Sequence, residues 1–454
     1  MASRGRSTSI TRVIHYAFLA SYIQGLSGEG SCPSWFEPIP ADEMAFYWPG
    51  ECTRCLLNAT TPAQVKNNCN GCTVNSGGYL EGFDTPQRMC HLEHPPAGLR
   101  SSLRTRLKGT PPRTSYIKEL VHTLRGRKIY YFGDSVSMQL RLFLRQRALE
   151  MGIDEALFLA PERMCRDKSG PAFYDHMINP EAVTDRNDML EKWESQFLHN
   201  FHLTLKGLKE EGALLVYNAG LHNGPRSGKV EGGISSVERA EMELEYRIML
   251  QHTFKMLDKV ARSQSNNSSK PFVSVFMETT AQHFPYLDGD FFFAPRPASE
   301  VERSLHEHGN GLHGVENYAC LADTCADPDT TATRAATAPA ATAASNSSKP
   351  WSKSWRNRAV AEVVQQQQGL HQRVFVAPLG DVTIALHDAH IVTETFKRGK
   401  SNGWGSECTH FCYSPGLAEA VAYLLYRAVD AVDRGVSPHE LDWRPQGVGC
   451  ARVS

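Results

Sequence analysis

The stretch that decides the fold is Lys128-Ile129-Tyr130-Tyr131-Phe132-Gly133-Asp134-Ser135. Its bulky, mostly apolar first half is typical of a short buried strand, and Gly133 permits a tight turn after it. Over residues 137–151, apolar side chains recur at helical spacing, which predicts an amphipathic helix. A strand, a turn and a helix are therefore expected to meet at Ser135.

The same alternation of strand-like and helix-like segments continues along the chain. Further buried strands are predicted over residues 156–159, 213–218, 272–277 and 374–376, and helices over 190–208, 237–260 and 415–433. Strands that alternate with helices pair in parallel and are covered by helices on both faces. The sequence thus predicts an α/β fold with a parallel central sheet.

Composition divides the 454 residues into five parts. Residues 1–28 are expected to be a signal peptide or an N-terminal tail, and 29–125 a Cys-rich, loop-dominated segment. The α/β domain is predicted over 126–436, with a C-terminal tail over 437–454. Within the domain, residues 327–348 are almost entirely small or polar, so we expect a disordered insertion there.

Charge and hydropathy exclude two classes of partner. The 48 basic and 49 acidic residues give a net charge of −1, which offers no general attraction for nucleic acid. The N-terminus has three arginines followed by a short apolar run over residues 13–23, as in a signal peptide. Because a membrane span needs about 20 apolar residues, membrane anchoring is expected to be weak or absent.

Cysteines and glycosylation tripeptides point to the secretory pathway, either the Golgi lumen or the exterior. The chain has 12 cysteines, four of them arranged as Cys52-x-x-Cys55 and Cys69-x-x-Cys72. In an oxidising compartment they are expected to form disulfides, whereas in the cytosol the same spacing would suggest zinc. Acceptor asparagines for N-glycosylation occur at four positions, Asn58, Asn266, Asn267 and Asn346.

Ser135 is the candidate nucleophile. A strand would hold its hydroxyl rigidly, the turn would expose it, and the helix N-terminus would offer N–H groups to a developing oxyanion. The alternative is that Ser135 is an ordinary helix cap. Asp134 is expected to orient this turn and not to take part in proton transfer.

A second motif, Glu407-Cys408-Thr409-His410-Phe411-Cys412, supplies an imidazole and a carboxylate in what is expected to be an exposed loop. His410 is the candidate general base, and Glu407 would accept its second N–H. Alternatively, Glu407 is a solvated loop carboxylate. His387-Asp388-Ala389-His390 provides a second pair of histidine and acid, or metal ligands, although we expect neither a metal nor a cofactor.

Three residues after the predicted strands are candidates for oxyanion or substrate binding. Asn218 ends one strand and could donate its amide N–H, and Gly220 would permit a close approach of the backbone. His283 follows the next strand and could contact substrate. Because ligand sites in parallel sheets form at the carboxyl ends of strands, the three are expected at one edge.

Taken together and in order, four motifs resemble the trichome-birefringence-like/PC-esterase family of the SGNH/GDSL hydrolase group. They are Gly133-Asp134-Ser135-Val136-Ser137, Asn218-x-Gly220-x-His222, Asp388-Ala389-His390 and Glu407-Cys408-Thr409-His410-Phe411-Cys412-x-x-Pro415-Gly416. The resemblance covers about residues 120–430. It implies a flavodoxin-like three-layer α/β/α fold and a covalent acyl-enzyme on Ser135, with His410 as base.

The resemblance also implies a function. The chain would be a polysaccharide O-acetyltransferase or acetylesterase that uses a small acyl donor and a glycan acceptor. Three positions depart from the family pattern: Glu407 replaces an aspartate, Phe411 a tryptophan and Gln139 an asparagine. The altered acid leaves a second possibility, a non-catalytic carbohydrate-binding protein that retains the fold.

Overall fold

The computed structural model describes thirteen parts of the chain. They are residues 35–48, 88–89, 105–160, 212–218, 220, 233–265, 272–283, 354–366, 373–384, 386, 390–397, 400–411 and 413–445. For residues 88–89, 135, 260, 263–265, 391–397 and 400–409 it describes the backbone alone. All of these residues belong to one unit of contacts, which spans Ser34–Thr324 and Ser352–Pro445.

The described strands and helices have the following bounds. The strands are β1 (Phe36–Pro38), β2 (Arg88–Met89), β3 (Thr105–Leu107), β4 (Lys128–Gly133), β5 (Ala213–Asn218), β6 (Val273–Met277), β7 (Val374–Ala377), β8 (His390–Lys397) and β9 (Lys400–Phe411). The helices are α1 (Met44–Tyr47), α2 (Tyr116–Leu124), α3 (Ser135–Glu150), α4 (Ser236–Ser265), α5 (Trp355–Gln366), α6 (Leu379–Thr383) and α7 (Pro415–Asp433). Short 3-10 helices occupy Ala41–Glu43 and Glu155–Leu157.

The centre of the described unit is a parallel sheet with the strand order β4-β5-β6-β7. The strands predicted here are confirmed to within about a residue at each end. Residues 156–159 were also expected to form a strand. Ala156 and Leu157 instead lie in a 3-10 helix, and Leu159 forms an isolated parallel bridge with Ile129 of β4.

Helices cover both faces of this sheet. Successive residues of each strand face opposite sides, so neighbouring residues of β4 contact different helices. On one face, Ile129 and Tyr131 belong to the same apolar cluster as the buried side chains of α2, α3 and α7. On the other face, Tyr130 and Phe132 belong to a cluster with those of α4 and α5. Every residue of β5 is buried, as expected of a central parallel strand. The predicted α/β class with a parallel central sheet is confirmed.

Helix α2 shows that the α/β layers include residues before position 126, where the sequence placed the start of the domain. Its apolar side chains Ile117, Leu120 and Leu124 are buried in the cluster shared with α3 and α7. The Cys-, Pro- and Gly-rich composition of the preceding segment obscured this short helix. At the other end, Leu441 is also buried, so part of the predicted tail packs on the unit.

A three-stranded antiparallel sheet, β2-β8-β9, carries the second predicted motif. The expectation of an exposed loop around His410 is wrong, because β9 runs to Phe411 and His410 is only 6% exposed. Pairs with β8 at Glu407 and Phe411 hold the two ends of this motif in the sheet.

Several predictions fall on residues outside those described. They concern the N-terminal segment 1–28, the cysteines, the glycosylation asparagines, the helix over 190–208 and the insertion over 327–348. Within the described part of the chain, no helix combines the length and the apolar character that a bilayer crossing requires.

A buried charge network joins α2, α3 and α7. Glu419 of α7 accepts hydrogen bonds from the Ser115 hydroxyl at 2.8 Å, the Ile117 backbone N–H at 3.1 Å and Arg147 Nε at 2.7 Å. Arg147 also donates to Glu150 and to the Tyr47 carbonyl. Because each group is desolvated, removal of one partner leaves the others unsatisfied.

We therefore expect Glu419→Leu to lower the free energy of unfolding by about 3–5 kcal/mol. The substitution removes the carboxylate that accepts from the buried Arg147 guanidinium, the Ser115 hydroxyl and the Ile117 N–H. Urea denaturation measures this loss. Asp430→Ala on the same helix is the control, because its partner Arg434 is 57% exposed and such pairs contribute at most about 1 kcal/mol. Equal losses in the two variants would contradict a structural role for the buried network.

Candidate functional site

The carboxyl edge of the parallel sheet, formed by the ends of β4, β5 and β6, carries Asn218 and leads into the segments of Ser135 and His283. Gly133 at the end of β4 pairs with Asn218 at the end of β5. Met277 ends β6, and the segment over residues 278–283 continues from it. Parallel sheets place ligand sites at this edge, as the sequence predicted.

The turn between β4 and α3 is built around Gly133, whose φ of +133° is rarely adopted by other residues. A Cβ atom there would lie 2.0 Å from the Asn218 carbonyl oxygen. Asp134 then caps α3 by accepting the Val136 backbone N–H at 3.0 Å, in the structural role predicted for it.

Ser135 is the first residue of α3. The predicted strand, turn and helix thus meet at this residue, and its backbone lies among the N–H groups that begin the helix. Its side chain is outside the described residues, so the nucleophile role remains a prediction.

The segment that carries the candidate base is bound to this same helix. Gln139, one turn after Ser135, donates from Nε2 to the Phe411 carbonyl at 2.6 Å and accepts the Phe411 N–H at 3.0 Å. We call this pair of hydrogen bonds the Gln139 fork. It places the backbone of His410 and Phe411 beside the N-terminal half of α3. Two stretches 272 residues apart in sequence are therefore brought together.

Glu407 lies on β9, where its backbone pairs with Ile391 of β8. Its side chain is outside the described residues, as are Asp388 and His387. The predicted contact between Glu407 and the His410 ring therefore stays a prediction.

Asn218 does not offer the free amide that the sequence predicted. Its Nδ2 donates to the carbonyls of Met277 and Glu278, both at 3.0 Å, and its side chain is buried. In this conformation Asn218 ties the end of β5 to the end of β6. Donation to an oxyanion would require one of these bonds to be released.

Gly220 provides a close approach, but the neighbour that the structure shows is a tyrosine. Its φ is +136°, and a Cβ there would lie 2.5 Å from the Tyr246 hydroxyl oxygen. The Gly220 carbonyl accepts Arg356 Nε at 2.5 Å, and the same guanidinium donates to Gln282 at 3.2 Å. Arg356 of α5 was not predicted as a site residue, because nothing in its local sequence marks it.

Burial sets the electrostatics of the tyrosines below this edge. Burial holds the pKa of Tyr217 well above its usual value, and the Asp134 carboxylate raises it further. Burial likewise raises the pKa of Tyr246, although the Arg356 guanidinium opposes that rise. Both phenols therefore stay protonated at neutral pH.

His283 is placed differently from the substrate contact that the sequence predicted. Its side chain is completely buried, and Nε2 lies 3.0 Å from the Ile384 carbonyl oxygen. Its Nδ1 lies 2.7 Å from Nε2 of His390, the residue predicted as an alternative base. His390 is also completely buried, and its Nδ1 lies 2.9 Å from the His410 carbonyl oxygen. Both rings are thus engaged in internal contacts.

Comparison with known proteins adds no relative. No protein-family model matches the chain, and no curated protein matches it significantly. The family resemblance therefore rests on the four motifs themselves.

The turn at Gly133 leads to a prediction about the stability of the fold. Gly133→Ala should lower the free energy of unfolding by about 3 kcal/mol or more, because unfavourable φ and a backbone clash add together. Gly152→Ala is the matched control, since its φ is +69° but no atom of a described residue lies within 4 Å of a Cβ there. We expect that control to lose only about 1 kcal/mol in the same denaturation experiment. Similar losses would show that the close contact with Asn218 is unimportant.

Proposed function

We propose that the protein transfers acyl groups through a covalent acyl-serine on Ser135, acting on carbohydrate O-acetyl groups as an O-acetyltransferase or acetylesterase. The observation that carries the proposal is the Gln139 fork, which binds the backbone beside His410 to the helix that begins at Ser135. A hydroxyl at a helix N-terminus and a histidine brought beside that helix are the minimum that such chemistry requires.

The proposed fold is the flavodoxin-like three-layer α/β/α arrangement. If the bridge at Leu159 is counted as the second strand, the order becomes 2-1-3-4-5, which is the flavodoxin-like order. Hydrogen bonds from the Ile129 N–H to the Phe158 carbonyl and from the Ala160 N–H to the Ile129 carbonyl support that count. In this order the first strand, β4, leads directly to Ser135.

In the first half of the reaction, the Ser135 oxygen attacks the acetyl carbonyl of the donor while His410 takes the hydroxyl proton. The new C–O bond forms as the carbonyl π electrons move to oxygen, where N–H groups at the start of α3 stabilise the charge. The donor C–O bond then breaks, and His410 returns the proton to the departing oxygen. The product is an acetyl ester of Ser135.

In the second half, a sugar hydroxyl or water attacks that ester, again with His410 as base. Attack by a sugar makes the protein a transferase, and attack by water makes it an esterase. Both outcomes use the same catalytic residues and need no cofactor. They differ in how well the acceptor site excludes water.

Glu407 is proposed to accept the second N–H of His410 and to stabilise the imidazolium. In a regular strand, residues three apart face opposite sides. Here the ladder is irregular, since Ile391 pairs with Glu407 while its neighbour His390 pairs with Phe411. The irregularity between 407 and 411 breaks the alternation, which favours a shared side for the two groups.

The proposed setting is the secretory pathway, with a glycan acceptor and a small acyl donor and without nucleic acid. The signal-like N-terminus, the 12 cysteines and the glycosylation tripeptides support it. A second candidate is a non-catalytic carbohydrate-binding protein that keeps the fold. The engagement of both Asn218 amide protons and the replacement of aspartate by Glu407 favour it.

Labelling with a fluorophosphonate probe separates the two candidates, because the probe reacts with an activated serine. We expect the wild type and Ser137→Ala to be labelled and Ser135→Ala to remain unlabelled. Ser137 is the matched control because it lies two residues away on the same helix, and its buried hydroxyl has no hydrogen-bond partner among the described residues. An unlabelled but folded wild type would favour the binding protein.

The base assignment is tested by His410→Gln, which we expect to slow labelling by about 10²–10⁴-fold. His410 is buried, so denaturation of the variant must show that the fold survives. If a folded variant is labelled at the wild-type rate, another group is the base.

A further inference from the structure

We propose that His283 and His390 are positioning residues that share one extra proton and thereby hold the backbone of His410 in place. We call them the histidine pair. The inference deepens the proposed function, because His410 matters to chemistry only if that function is right. The pair itself is a structural device that can be tested without any substrate.

The contacts of the pair fix where its protons lie. A carbonyl oxygen can only accept, so the ring nitrogen facing it must carry a hydrogen. This requires hydrogens on His283 Nε2, 3.0 Å from the Ile384 oxygen, and on His390 Nδ1, 2.9 Å from the His410 oxygen. The two remaining nitrogens lie 2.7 Å apart, which requires one hydrogen between them.

Three hydrogens on two imidazole rings leave the pair with one positive charge, since each neutral ring carries only one. If the pair loses a proton, one of its three contacts must set lone pair against lone pair. In a buried site that repulsion is not relieved by water. Deprotonation therefore breaks a link in the series from Ile384 through the two rings to His410.

In the last of these contacts, His390 binds a peptide group that is hydrogen-bonded through both its carbonyl and its N–H. The carbonyl of the peptide between His410 and Phe411 accepts from His390, and its N–H donates to Gln139 at 3.0 Å. The His390 ring also lies against the Phe411 ring, with centroids 4.2 Å apart. These contacts fix the orientation of the peptide that immediately follows the His410 side chain.

The hydrogen bonds of Gln139 and His390 to this peptide group lie where the strand ladder is irregular. Phe411 pairs with His390, but the next residue of β8, Ile391, pairs with Glu407. The register of the ladder thus shifts by three residues on β9 between these two pairs, and at this shift the Gln139 side chain binds the backbone of Phe411. This arrangement makes the position of His410 depend on the protonation of the pair.

Charges on the surrounding elements act on this proton in both directions. Arg356 of α5 donates to Gln282, the neighbour of His283, and a cation there favours proton release. Glu278 at the start of the His283 segment and Asp381 of α6 are carboxylates, which favour retention.

The direction of the pH dependence follows from proton binding. The state in which all three contacts of the histidine pair are made binds one more proton than the state in which one is broken. The hydrogen bond to the His410 carbonyl is therefore favoured as the pH falls and is lost as the pH rises through the titration of the pair.

The test uses the full-length protein with isotope-labelled histidine. Ring nitrogen NMR at about pH 6 should show, in the pair, one doubly protonated ring and one neutral ring, whose hydrogen is on Nε2 if that ring is His283 and on Nδ1 if it is His390. Between about pH 6 and pH 9 one proton should be lost, and the exchange protection of the Phe411 amide should fall at least about tenfold. Two neutral rings at every pH at which the protein is folded would overturn the proposal.

Three variants complete the test. His283→Met leaves His390 needing only the Nδ1 hydrogen, so Phe411 protection should become independent of pH. His390→Phe keeps a ring against Phe411 but removes the hydrogen bond to the His410 carbonyl. The exchange protection of the Phe411 amide should then be low at every pH. His122→Gln, at an exposed position of α2, should behave as the wild type. If His283→Met keeps the wild-type pH dependence, the shared proton is not its cause.

The two proposals fail separately. If Ser135 is not labelled by a fluorophosphonate while the NMR and exchange results hold, the acyl-transfer function is wrong and the histidine pair remains. If Ser135 is labelled but the pair is neutral, the function stands and the positioning role is wrong.

Discussion

One peptide group, between His410 and Phe411, is the constraint on which the proposed site depends. Its N–H is bound to Gln139, and its carbonyl is bound to His390. Neither the parallel sheet nor its helices would by themselves bring β9 to α3, because β9 pairs with β8 in a separate antiparallel sheet. Each neutral hydrogen bond contributes only about 1 kcal/mol, yet together they fix a geometry that packing alone leaves open.

The sequence predicts the central fold well because its signals are local. Strands such as β5 consist of consecutive apolar residues, and α7 begins at a Ser-Pro-Gly signal, with the Ser414 hydroxyl accepting the Leu417 N–H. The antiparallel sheet was missed although β8 and β9 are consecutive strands separated only by residues 398–399; its third strand, β2, pairs with β8 from a distant part of the chain. Residues 400–411 contain Gly, Ser and Lys and lack a regular alternation, so only the partner strand reveals β9 as a strand.

The candidate site likewise contains some features that the sequence predicts and others that it does not. The turn at Gly133 and the cap at Asp134 follow from residue type and position, and both were predicted. The occupied amide of Asn218 and the buried ring of His283 were not, because their partners are backbone carbonyls. Every residue has such a carbonyl, so no sequence pattern marks the one that is used. Arg356 illustrates the same limit, since its acceptor is the carbonyl of Gly220.

Two of the departures from the resembled family pattern touch each other in the structure. The resemblance described above would place an asparagine at position 139 and a tryptophan at position 411. A glutamine is longer by one methylene, about 1.5 Å, so the fork can span a wider gap between α3 and β9 than an asparagine could. Phe411 fills less space than tryptophan and packs on His390. The amide of Gln139 binds the backbone of Phe411 and the Phe411 ring packs on His390, so both contacts act on one residue of the strand that carries His410. Glu407 lies on that same strand, so the position of its backbone also depends on these contacts.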